Sequence, residues 1–110
     1  MASLNPLPRV PKLDIHGASV RGTRFDRANL TNADLTRANA TNASFRGADF
    51  AGAKLTGTVL YGADLTDALN LTEEQLIEAL LDENTVLPRY IDRDRLRHAE
   101  PRIAKIDGGR

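Results

Sequence analysis

The chain has 110 residues, room for one domain, and its 15 basic and 15 acidic side chains cancel. That balance excludes the strong positive field behind most non-specific nucleic-acid affinity, so direct nucleic-acid binding is not expected. With no cysteine, disulfides and thiolate metal sites are excluded. The only aromatic residues are Phe25, Phe45, Phe50, Tyr61 and Tyr90, so a core must draw on Leu, Ile, Val and Ala.

The first element, residues 1–10 (MASLNPLPRV), contains Pro6 and Pro8, with Pro11 just beyond. Those prolines predict an extended segment that cannot donate a regular ladder, with Leu7 and Val10 placed to cover whatever follows. No apolar run is long enough for a signal peptide or a membrane span. The expectation is a protein without a membrane span that stays in the cytoplasm.

Residues 11–70 carry an internal repeat of five. Large apolar centres stand at Ile15, Val20, Phe25, Leu30, Leu35, Phe45, Phe50, Leu55, Leu60 and Leu65, with Ala40 in the same register. Two positions before each centre the residue is small in most units: Ala18, Ala28, Ala33, Ala38, Ala43, Ala48, Ala53 and Ala63, with Leu13, Thr23 and Thr58 as departures. Two inward residues flanking one outward residue is strand geometry. Two positions after each centre, Gly or Asn fills most places (Gly17, Gly22, Asn32, Asn42, Gly47, Gly52, Gly57, Gly62), residues that tolerate φ > 0 in a turn. The chain is therefore expected to run in, out, in, and then turn a corner. If four sides make a coil, residue n lies over n + 20, and Phe25 stacks on Phe45. Spacing alone does not choose between three sides and four.

Units such as ANLTN, ADLTR, ASFRG, ADFAG and ADLTD resemble the pentapeptide-repeat family, whose pattern is A(D/N)LXX. The resemblance covers residues 11 to about 70. It implies an all-β solenoid, a right-handed quadrilateral β-helix with four pentapeptides to the coil and about three coils here. It also implies a bacterial tendency and, for some members, a DNA-mimic role as effectors that bind type II topoisomerases. Residues 11–70 hold seven basic and six acidic side chains, and a rod of about 13 Å at strand spacing is short. Charge and length both count against mimicry.

Residues 71–88 change period. Thr72 with Gln75 forms a capping-box pattern, Leu71 and Leu76 occupy the staple positions, and Glu73 and Glu74 suit a helix start. Leu76, Ile77, Leu80 and Leu81 make one apolar stripe of a helix expected to cap the last coil, a partner-binding helix being the alternative. LTEEQL…ALLDENTVLP also resembles, more loosely, the segment that follows the repeats in this family. Residues 89–110 form a charged tail in which Asp92 to Glu100 could make a short helix ended by Pro101. The tail either lies along the coil or docks on another protein.

No constellation of catalytic residues appears. His16 and His98 are each isolated among surface positions, the aspartates at 14, 34, 49 and 64 read as a solvated ladder, and the glycines are separate corners rather than a phosphate loop. An enzyme is not expected, and no catalytic, cofactor-binding or metal-binding residue is assigned. The reading is a non-enzymatic protein-interaction or scaffold module that presents rigid flat β-helix faces and the tail to a protein partner. The alternatives are a topoisomerase-binding effector and a small structural subunit of a larger assembly. Candidate partner contacts are Val59, Tyr61, Leu69, Tyr90, Arg93, Leu96 and Arg97; the first three are either covered by Ile91 or Leu96 or mark a partner or a homodimer contact through the C-terminal region.

Overall fold

The computed structural model describes residues 12–98; residues 1–10, Pro101 and most of the tail's length lie outside that range. From Asp14 onward, every fifth residue makes a parallel bridge to the residue twenty positions later: Asp14 to Asp34, Ser19 to Asn39, Arg24 to Ser44, Asn29 to Asp49, and so on to Asp49 with Leu69. Twenty residues at five to a side give four sides per turn of the chain. Each bridge is flanked by backbone bonds to the turns before and after. Ile15 and Gly17 donate to the carbonyls of Asp34 and Thr36 at 2.9 Å, while the Asp34 N–H returns to the Leu13 carbonyl at 2.8 Å.

The corners form as the spacing predicts. Ala18 N donates to the Ile15 carbonyl at 3.0 Å, and the same bond closes the turns at Ala33, Ala43, Ala53 and Ala63. The third residue of each turn is left-handed, from Gly17 at φ 71° to Asp67 at φ 59°. Arg27, Arg37 and Asp67 adopt this conformation as well, at a cost of roughly 1–2 kcal/mol each.

Two expectations are corrected. The all-β solenoid, in the form of a right-handed quadrilateral β-helix with flat β faces, is not what forms, because the described residues contain no β-strand: every bridge is isolated and one residue long, most with a turn on either side. The physical reason is the length of a side. With a corner every five residues, only the outward centre of each side is placed to bridge, and no ladder can extend beyond it. The capping α-helix expected to carry Leu76, Ile77, Leu80 and Leu81 on one stripe is also not found. The helix α1 spans only Glu73–Glu78, and the second helix, α2, spans Arg93–His98.

The interior is nevertheless dry and close-packed. Ala33, Ala38, Ala48 and Ala63 are fully buried together with Leu35, Ala40, Phe45, Phe50, Leu60 and Leu65. Phe25 stacks on Phe45 with ring centroids 5.1 Å apart and planes 5° from parallel, and Phe45 meets Phe50 at 5.4 Å, tilted by 57°. Thr58 takes an alanine position and is also buried; its hydroxyl donates to the Leu35 carbonyl at 2.7 Å. Among the described residues no buried side-chain polar atom lacks a partner, as a core of this density requires.

After Leu69 the chain leaves the register. Asn70 turns left-handed at φ 60° and Thr72 caps α1, accepting from Gln75 N at 3.1 Å while Gln75 Oε1 accepts from Thr72 N at 2.8 Å. Leu76 is buried, and Gln75 Nε2 donates to the carbonyls of Phe50 and Ala53, both at 2.9 Å. The helix stops at Ala79, whose backbone is extended, and the chain resumes the in, out, in pattern. Ala79 is buried, Leu80 points out and bridges Val59, and Leu81 packs on the core. The pattern recurs as Thr85, Val86 and Leu87: the buried Thr85 hydroxyl donates to the Leu60 carbonyl at 2.8 Å, and Val86 bridges Asp64. Leu80 is thus not part of a helical stripe. Closure is shared among α1, these two added sides and α2, whose Leu96 is buried in the core cluster.

Candidate protein-binding surface

The bridges sort the outward residues into four columns. One holds Asp14, Asp34 and Lys54; the next Ser19, Asn39, Val59 and Leu80; the third Arg24, Ser44, Asp64 and Val86; the fourth Asn29, Asp49 and Leu69. Three of the four begin polar and end apolar. Around their C-terminal ends stand exposed apolar side chains: Tyr61 at 40%, Leu69 at 51%, Leu80 at 44%, Val86 at 47% and Tyr90 at 54%. Val59 is half-buried beside Leu80.

The candidate contacts fall into two groups. Val59, Tyr61, Leu69 and Tyr90 lie in this band. The Tyr90 hydroxyl donates to the Ala68 carbonyl and accepts from Leu71 N at 3.2 Å, so the ring is pinned on either side of Leu69 while most of it faces out. Arg93 and Leu96 are turned toward their own chain: Arg93 donates to the carbonyls of Asp82 and Thr85, and Leu96 is buried. Arg95 adds an ion pair to Glu73 at 2.7 Å. Arg97 lies in α2. Leu80, read from the sequence as part of a helical stripe, and Val86 were not among the candidate contacts. The signal that could have found Val86 is the triplet TVL, which occurs at residues 58–60 and again at 85–87.

The aspartates are not merely a solvated ladder. Each turn leaves the N–H two residues after the outward centre without a backbone partner, and an Asp or Asn at that centre accepts it. Asn29 takes Thr31 N at 3.1 Å, Asp34 takes Thr36 N at 3.0 Å, Asn39 takes Thr41 N at 3.1 Å and Asp49 takes Ala51 N at 3.0 Å. These bonds hold the carboxylates below their usual range. For Asp34 the leading cause is its bond with Thr36; for Asp49 it is the Asn70 amide. Desolvation pushes Asp64 up, but bonds from Thr66 and Arg46 outweigh it and leave it lowered.

His16 is not isolated. Its Nδ1 lies 2.5 Å from Asp14 Oδ1, and this bond raises the imidazole above its usual value and lowers the carboxyl. Asp34 is close enough that Asp14, His16 and Asp34 each offer a ligand atom within 4.8 Å of the others. All three are at the surface, where Asp14 and His16 are bonded to each other and Asp34 to Thr36.

The matching family model describes pentapeptide repeats, in eight copies, and aligns with residues 14–47, 33–69 and 43–82. The chain belongs to the pentapeptide-repeat family. As a member of that characteristically non-catalytic family, it is not an enzyme. Among solved structures, a pentapeptide repeat protein from the cyanobacterium Cyanothece 51142 matches with a TM-score of 0.61 and 28% identity, over 70% of this chain and 52% of that one. A pentapeptide repeat protein from the Arabidopsis thaliana thylakoid lumen is 26% identical over 69% of this chain and 55% of its own, with a TM-score of 0.34. The chain thus spans about half the length of both structures. No curated protein matches it significantly. No helix among the described residues is long and apolar enough to cross a membrane.

Proposed function

We propose that the chain is a non-enzymatic protein-binding module whose contact surface is the apolar band at the C-terminal end of the columns, formed by Val59, Tyr61, Leu69, Leu80, Val86 and Tyr90. The observation that carries this reading is the change along single columns. Ser19 and Asn39 give way to Val59 and then Leu80, and Asn29 and Asp49 to Leu69, although Val59 and Leu69 are outward positions of the same repeat. Nothing in the repeat's own packing calls for apolar residues there, and exposed apolar side chains gathered at one end of the coil mark a contact with another molecule. The rigid interior supports the reading, because a surface that need not be ordered on binding avoids part of the entropy cost of association.

A photo-crosslinking residue at position 61 or 69, compared with one at Ser19 on the polar part of the surface, tests the proposal in cells. Specific protein adducts at 61 and 69 that are absent at 19 support it; equal capture at all three contradicts it. An adduct of twice the chain's own mass would identify the partner as a second copy held through the C-terminal region.

A further inference from the structure

We infer a second contact, adjoining the apolar band at Val86: two copies of the chain associate side by side and antiparallel through the side that carries Arg24, Ser44 and Asp64. Along that side charge is separated by level. The first level presents Arg21, Arg24 and Arg27, all exposed, and the third presents Asp64 and Asp67. Ser44 lies between them in the central column. The other charges of the side are exposed but bonded to neighbours within it. Asp26 accepts from the Ser44 hydroxyl and from Arg46 N, and Arg46 reaches down to Asp64 at 3.1 Å. Three exposed arginines thus stand at one end, and at the other the exposed Asp67 beside Asp64, whose carboxylate also holds Arg46.

The symmetry of the repeat makes this pattern self-complementary. Arg27 and Asp67 occupy the same corner two levels apart, at φ 60° and 59°, so their side chains leave the backbone in the same direction. Arg27 lies down its corner over Gly47: a Cβ on that glycine would come within 3.3 Å of Arg27 Cγ. Consider a two-fold axis in the contact plane, perpendicular to the columns at the level of Ser44. It sets Arg24 opposite Asp64 and Arg27 opposite Asp67, each pair occurring twice, as an isologous interface requires. The small Ser44 lies at the axis, where it lets the two sides approach. A parallel arrangement would instead set arginine against arginine. The side is narrow, so the association rests on charge and is sensitive to salt.

The test is sedimentation equilibrium of the full chain at about 50 mM and about 500 mM salt, with the exchanges Arg27→Asp and Asp67→Arg. Each exchange places at one corner a residue type that the chain already holds there in the same backbone conformation, so the fold is retained; circular dichroism and melting check this. Wild type is expected to self-associate at low salt and to return to its 12.0 kDa monomer mass at high salt. Either exchange alone should weaken self-association at least about tenfold, through like charges at both corners. An equimolar mixture of the two variants should recover it as a heterodimer, because every pair is then opposite in sign. A wild type that stays monomeric at millimolar concentration in low salt overturns the inference, and so does a mixture that associates no better than either variant alone. The exchanges leave Tyr61, Leu69 and Val86 unchanged, so loss of association on Arg27→Asp or Asp67→Arg distinguishes this contact from one through the apolar band.

Discussion

At the outward centre of each side, an Asp or Asn can do what a Ser or Lys does not: its side-chain oxygen reaches the turn N–H two residues on. Asn39 makes this bond and takes the Thr41 hydroxyl as well, at 2.6 Å. Asn39→Ala is therefore expected to cost about 0.5–1.5 kcal/mol in urea unfolding, and Ser19→Ala close to nothing. The aspartate positions were legible in the sequence as a period but not as a function, because spacing marks them outward and only Asx-turn chemistry explains the residue type. The alanine positions from Ala33 onward were legible: a small residue every five reports a site with little room. Ala38 is completely buried, and Ala38→Leu should lower stability by about 1–3 kcal/mol through overpacking. A variant that melts with wild type would show that the corner has space.

The elements follow from how far the local pattern reaches. A side of five residues gives the chain one bridging residue and a corner, which is why neither strands nor β faces develop even though each outward residue pairs in parallel with its neighbours. The capping box at Thr72 and Gln75 was readable because it needs only three residues. The end of α1 was not, because Leu76, Ile77, Leu80 and Leu81 satisfy a helical stripe and the repeat's own Ala79, Leu80, Leu81 triplet equally well. The parallel bridge to Val59 decides between them: Leu60 N donates to the Leu80 carbonyl and Leu80 N to the Thr58 carbonyl, both at 2.8 Å. Burial of Leu76 remains the main anchor of α1, a helix too short to persist without packing. Leu76→Ala should cost about 2–5 kcal/mol, measured by chemical denaturation. A loss below 1 kcal/mol would mean that closure rests on Leu96 and the added sides instead.

For the whole molecule, the carboxylates tie stability to pH. Asp34 is held low by Thr36, Asp49 by Asn70 and Ala51, and Asp82 above all by the N–H of Gly62, with further bonds from Asn84 and Thr85. A carboxyl lowered in the folded state contributes stability that is present above its ordinary value and lost as pH falls through the lowered one. His16 has the opposite sign: its contribution is complete below the ordinary histidine value and fades as pH rises through its raised one. The melting temperature should therefore hold at mildly acid pH and fall below about pH 4; a melting curve unchanged at pH 2 would contradict the assignment of these bonds.

The placement of every column, and with it both proposed contacts, depends on residue n lying beside residue n + 20. The chain has no cysteine, so introduced pairs report this without background. Ser19→Cys with Asn39→Cys joins bridged positions in one column, and Ser19→Cys with Ser44→Cys joins positions on different sides. The account predicts rapid intramolecular disulfide formation under mild oxidation for the first pair and little for the second, as Cα separations within about 4.4–6.8 Å permit only the bridged pair to close. Equal oxidation of the two pairs, or preference for the second, would contradict it.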